Sequence, residues 1–153
     1  MDWGDLETGA PDPAEVAREE FDRTGMALIG TLRRDGSPRI SCVYPQLLDG
    51  VLYLGMMWRS RKAVDLLHDP RLVLHNAVWT NVGTELELTL RGTASQVEDE
   101  DLRRRYLEAV PEWGDRQFHL FAVALESAAV IRYEAGMQYV KVWPGGTELR
   151  RPY

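Results

Sequence analysis

Two Asp-Gly pairs, Asp35-Gly36 and Asp49-Gly50, divide a β-rich stretch into three runs at about 26 to 33, 38 to 47 and 51 to 57. An Asp-Gly pair between such runs is a strong short-range hairpin signal, because glycine accepts the positive φ that a tight turn needs. An antiparallel meander is therefore predicted. RLVLHNAVW and ELELTLRGTASQV add two more strands, and Leu86, Leu88 and Leu90 alternate as a half-buried strand should. HLFAVALESAAVIRY fits a strand or a helix; its β-branched end and its place after Gly114 predict one or two strands, and MQYVKVW predicts the last. Short helices are expected at AEVAREEFDRT, at SRKAVDLLHDP with Ser60 as N-cap, and at EDEDLRRRYLEAV, whose acidic start and later arginines suit the helix dipole. About six or seven consecutive strands with two or three helices predict a small antiparallel β-barrel with helical decoration.

The chain of 153 residues is long enough for one domain and too short for two. Residues 1–13, with Gly4, Gly9, Pro11 and Pro13 among acidic residues, are expected to be a flexible lead-in to a single domain at 14–153. A net charge of −6 opposes binding to a nucleic-acid polyanion, so any anionic ligand must be held by a local group of cations. Cys42, the single cysteine, excludes an internal disulfide and a cysteine-based metal site. The start has no basic leader, and no window approaches the roughly 18 apolar residues of a membrane helix, so a cytoplasmic protein without a membrane partner is expected.

Motifs for several common mechanisms are absent: GxxxxGK[ST], GxGxxG, HExxH and GxSxG. His68, His75 and His119 lack metal-pair spacing and are assigned structural roles, with no metal site expected. No side chain is singled out as catalytic. Ser60-Arg61-Lys62 remains, where a strand ends and a helix begins. Free N–H groups and the helix dipole attract anions there, and a hydroxyl with two cations would complete a phosphate cradle. On chemistry alone a serine cap followed by two solvated cations fits as well. Met56, Met57 and Trp58 precede this triplet; Met56 suits core filling, whereas Trp58 suits ligand stacking or a dimer contact. Trp79, Trp113 and Trp143 are assigned to packing or interfaces.

The segments GTLRRDGSPRIS, YLGMMWRSRKAVDLLHDPRLVLHNAVW and LRGTASQV, in this order over roughly residues 20 to 110, resemble the FMN-binding split-barrel family of pyridoxamine 5′-phosphate oxidase and its short relatives. SRKA followed by DPR and an alternating strand is the most specific part. The resemblance implies a mainly β, six-stranded antiparallel split barrel that forms a homodimer with FMN at the interface. It places Arg61 and Lys62 on the FMN phosphate, Ser60 in support, and Arg39 beside the cofactor. Ile40, Ser41, Cys42 and Val43 would follow the isoalloxazine edge, and Met56 stands where the oxidase has a hydroxyl near the phosphate. The oxidase's C-terminal Arg-x-His motif has no counterpart, so the substrate is expected to differ from pyridoxamine phosphate. What the resemblance implies is a flavin-dependent oxidoreductase acting on a small molecule. A deazaflavin-dependent reductase of the same fold and a non-catalytic flavin- or ligand-binding module are the alternatives.

Overall fold

The Asp-Gly pairs turn as their chemistry demands: in the computed structural model, which describes residues 1–79 and 82–153, Asp49 and Gly50 take φ of 49° and 75°. Positive φ at both positions matches the twist of the strands they join. Those strands are β2 (Pro38–Leu48) and β3 (Val51–Met57), and β1 (Ala27–Leu32) precedes β2 across the turn at Gly36. β4 (Arg71–His75), β5 (Leu86–Gln96), β6 (Phe118–Glu134), β7 (Met137–Trp143) and β8 (Thr147–Pro152) follow. All pairings are antiparallel, in the order β3-β2-β1-β4-β5-β6-β7-β8, and a further pairing of β3 with β6 closes the first six into a barrel. The ring is the six-stranded split barrel expected from the resemblance.

The ambiguous segment is one strand of 17 residues. β6 serves the barrel with its first part, pairing with β3 through residues 118 to 123, and carries β7 on residues 128 to 134. The β7–β8 hairpin extends the sheet beyond the ring. β8 was not anticipated, because its six residues are all exposed and leave no alternation to detect.

Alternate residues of the ring point inward: Ile29, Leu54, Leu74, Leu90 and Leu125 are fully or almost fully buried. Each such side chain contributes about 1.5 to 3 kcal/mol on leaving water. Helix α2 (Pro11–Thr24) adds Val16 and Phe21 to this core and ends at Gly25, whose φ of 65° provides the left-handed cap. α3 (Arg61–His68) joins β3 to β4, and α4 (Glu100–Ala109) starts at Asp99, which accepts a hydrogen bond from the Leu102 N–H at 2.8 Å. Among the described residues no helix is long and apolar enough to cross a membrane.

Residues 1–13 do not form the expected flexible lead-in. Trp3–Gly9 is helix α1, opened by a capping box in which Asp2 and Asp5 each accept a 2.9 Å bond from the other's N–H. Trp3 and Leu6, three positions apart and so on one face, are 1% and 0% exposed, and Trp3 packs against Phe21 with ring centroids 6.5 Å apart. Burial of those two side chains outweighs the loop tendency of the surrounding glycines and prolines.

Candidate functional site

β2 changes partners in mid-course. Residues 38 to 43 pair with β1, whereas residues 44 to 48 pair with β3. β3 continues past this junction, and Met56 and Met57 pair with β6 alone. The two strands therefore fork beyond Tyr44 and Gly55, leaving one edge of residues 38–43 without a strand partner among the described residues. Backbone donors and acceptors on such an edge must find other partners.

A cleft of about 620 Å³ occupies the fork. Val43 and Tyr44 form one wall, Gly55, Met56 and Met57 another, and Lys62 projects into it from α3. The far side comes from a short 3-10 turn at Pro111–Trp113 and the residues after it, through Glu112, Trp113, Arg116 and Gln117. Gly55 permits this approach: a Cβ there would lie 2.3 Å from the Tyr106 hydroxyl. Burial pushes that hydroxyl up to about 12, opposed by a hydrogen bond with the Gly55 backbone and reinforced by the Glu112 carboxylate.

The local sequence of α3 leaves its first turn open. Ser60 occupies the N-cap position, and the ladder begins with Val64 N–H donating to Ser60 C=O at 3.0 Å. The N–H groups of Arg61, Lys62 and Ala63 thus have no helical acceptor. The Ser60 side chain does not cap them, no acidic residue lies in the turn, and the Ser60 Oγ is buried without a hydrogen-bond partner among the described residues. Arg61 is exposed and Lys62 half-buried. Neither takes part in an ion pair within the described residues.

Ala63 and Leu66 bury the opposite face of α3, and Asp65 ties it to the sheet. The Asp65 carboxylate accepts from Thr31 Oγ1 at 2.8 Å and from Arg39 Nε at 2.6 Å. Arg39 therefore reaches α3 through Asp65, with its Nη groups unpartnered among the described residues. A buried pair of this kind specifies geometry more than it adds stability.

Of the residues singled out from sequence, Val43, Met56 and Lys62 line the cleft, and Ser60 and Arg61 lie at the same helix start. Arg39 contacts the helix from behind, and Ser41 is half-buried. Ile40, at 75%, and Cys42 are exposed and do not line the cleft, so among residues 40 to 43 Val43 contributes a side chain and the others the open backbone edge. Tyr44, Trp113, Glu112, Arg116 and Gln117 were missed as site residues. The signal of the last four was faint: an aromatic among charges in a Pro- and Gly-bounded loop, which sequence cannot place opposite β3.

His119 lies behind the cleft floor, as the cross-strand partner of Met56. It is buried, neither ring nitrogen has a partner among the described residues, and the Trp58 indole stacks on it at 4.4 Å and 10°. Burial, with Arg103 and Arg59 nearby, holds its pKa below the ordinary value, which keeps the ring neutral.

The family profile described as Pyridoxamine 5'-phosphate oxidase matches residues 14–132. None of the curated proteins compared with the chain matches it. Among solved structures, a heme binding protein from Mycobacterium smegmatis is similar, with a TM-score of 0.65 and 22% identity, over 93% of this chain and 58% of that one. A NimC/NimA family protein from Clostridium acetobutylicum has a TM-score of 0.64 and 14% identity, covering 90% and 92% of the two chains. The heme storage protein HutZ from Vibrio cholerae has a TM-score of 0.58 and 17% identity, covering 73% and 89%. At these identities the likeness is one of fold.

Proposed function

The chain belongs to the pyridoxamine 5'-phosphate oxidase family, and from that premise we propose that it binds FMN in the fork between β2 and β3 and acts as a flavin-dependent oxidoreductase on a small molecule. The open first turn of α3, with the buried and unpartnered Ser60 Oγ beside Lys62, carries this reading. A phosphate monoester supplies the acceptors that the serine hydroxyl and the first-turn N–H groups lack, and its charge is matched by Arg61 and Lys62. Asp65 holds the helix and Arg39 in register with that cradle.

Flavin, when bound, supplies the hydride or electron transfer. The chain's own residues orient and shield. The unpaired edge of residues 38 to 43 offers amide donors and acceptors to the rim of a planar heterocycle, and Met56, Met57 and Trp113 exclude water from its faces. Tyr44 and Met57 of the cleft are 56% and 67% exposed and Trp58, next along the chain, is 51% exposed, an apolar surface that suits the second subunit of a homodimer.

Heme is the competing occupant, because two proteins of this fold carry it in their names. Histidine is the commonest heme-iron ligand, and the one behind this cleft is 4% exposed with Trp58 stacked on it, so it does not present its imidazole to the cavity. Flavin fits the open cradle better. Absorption spectra after incubation with FMN, riboflavin, a deazaflavin coenzyme and hemin test the assignment: tight binding of FMN over riboflavin is expected. A Soret band without flavin uptake would replace the reading.

A further inference from the structure

A second cavity of about 560 Å³ adjoins the first and shares Tyr44, Glu112 and Trp113 with it. It lies between α2 and the turn after α4, with Arg18, Asp22 and Gln46 among its polar lining. The charges of the two compartments differ in sign. The first holds Lys62 and Arg116 against the single shared carboxylate of Glu112, a net positive set. In the second, Arg18 is paired with Glu7, whereas Asp22 and Glu112 form no ion pair among the described residues. Glu112 acts electrostatically on the compartment, since it helps raise the pKa of the Tyr106 hydroxyl, another lining group. Phe21, Tyr44 and Trp113 supply aromatic surface beside the two carboxylates.

From this we infer that the second cavity is the substrate compartment and that its ligand is an organic cation, an amine or ammonium group on an apolar body. The inference rests on the flavin reading insofar as the ligand is a substrate. The cation lies against Asp22 and Glu112, which come from different elements, and against the aromatic faces that favour a positive group. The apolar body crosses between Tyr44 and Trp113 toward the first cleft. An anionic substrate would meet two uncompensated carboxylates, and like-charge contact is a means of rejecting a ligand. The cationic compartment remains for the phosphate of the cofactor.

Benzylamine, benzyl alcohol and benzoate share a ring and differ in charge, so titrating each by tryptophan fluorescence, with and without FMN, tests the assignment. Benzylamine is expected to bind about tenfold or more tighter than benzoate, and Glu112→Gln with Asp22→Asn to remove most of that preference. Asp22→Asn alone, which lies outside the first cleft, gives a correctly folded control by circular dichroism and is expected to lose part of the preference. Equal binding of the three probes, or a cation preference kept in the double variant, overturns the inference. FMN titration of the same preparation reports separately on the cofactor: a chain that prefers benzylamine and ignores FMN sinks the flavin reading and leaves the cationic site standing.

Discussion

Replacing Arg61 and Lys62 by alanine separates the phosphate cradle from a pair of solvated cations. Lys62 is half-buried and lines the cleft, so its charge-assisted bond to a phosphate falls within the usual range and contributes about 2 kcal/mol. Arg61 is exposed and partly screened, which lowers its share to about 1 kcal/mol. At about 1.4 kcal/mol per tenfold, Lys62→Ala weakens FMN binding roughly 30-fold and the double variant roughly 150-fold. Riboflavin lacks the phosphate and provides the internal control, because its affinity should stay within about threefold in both variants. Flavin fluorescence quenching measures both affinities, and circular dichroism checks that α3 persists. Neither side chain supports the core, so unfolding is not expected. FMN affinity unchanged in the double variant, or riboflavin weakened as much as FMN, would refute the cradle.

Leu6→Ala should cost about 2 to 5 kcal/mol in urea unfolding, since Leu6 is fully buried in the main core; a loss below about 0.5 kcal/mol would return residues 1–13 to the status of a loose lead-in. Gly55→Ala forces a Cβ against the Tyr106 hydroxyl at 2.3 Å and should cost roughly 1 to 3 kcal/mol, with partial recovery on adding Tyr106→Phe; absence of that recovery would point to another cause. The pKa of His119 lies below its ordinary value of 6.5 in the folded chain, so the unfolded chain takes up the proton first as the solution is acidified. Stability from this group is present above about pH 6.5 and is lost as pH falls through the folded value. His119→Phe should reduce that acid loss and be nearly neutral at pH 8, because it removes two unpartnered nitrogens from an apolar site; unfolding curves at pH 8 and pH 5 that shift equally in both proteins would contradict it.

Turn chemistry and strand alternation carried most of the barrel in the sequence. Asp49-Gly50 encodes its turn locally, and Leu86, Leu88 and Leu90 advertise a one-sided strand without reference to any partner. The N-terminal helix was hidden by composition, although Asp2 and Asp5 have capping-box spacing and Trp3 and Leu6 lie one turn apart. Ser60, Arg61 and Lys62 were legible because a helix start is a local feature. The opposite wall was not: Trp113 and Gly55 are 58 positions apart and meet only after β3 pairs with β6 and α4 packs across them. Arg39 shows a third case, since its residue type was legible while its bond to Asp65 depends on how α3 lies on the sheet.

Apart from the open edge of residues 38–43, the ring closes on itself among the described residues, and β8 is where the sheet ends beyond it. That last strand presents Glu148, Arg150 and Arg151 and finishes on Pro152, a set that discourages strand-by-strand growth into fibres. Strand-edge contact between two copies is thereby disfavoured at this flank, whereas a symmetric contact elsewhere would satisfy itself and stop.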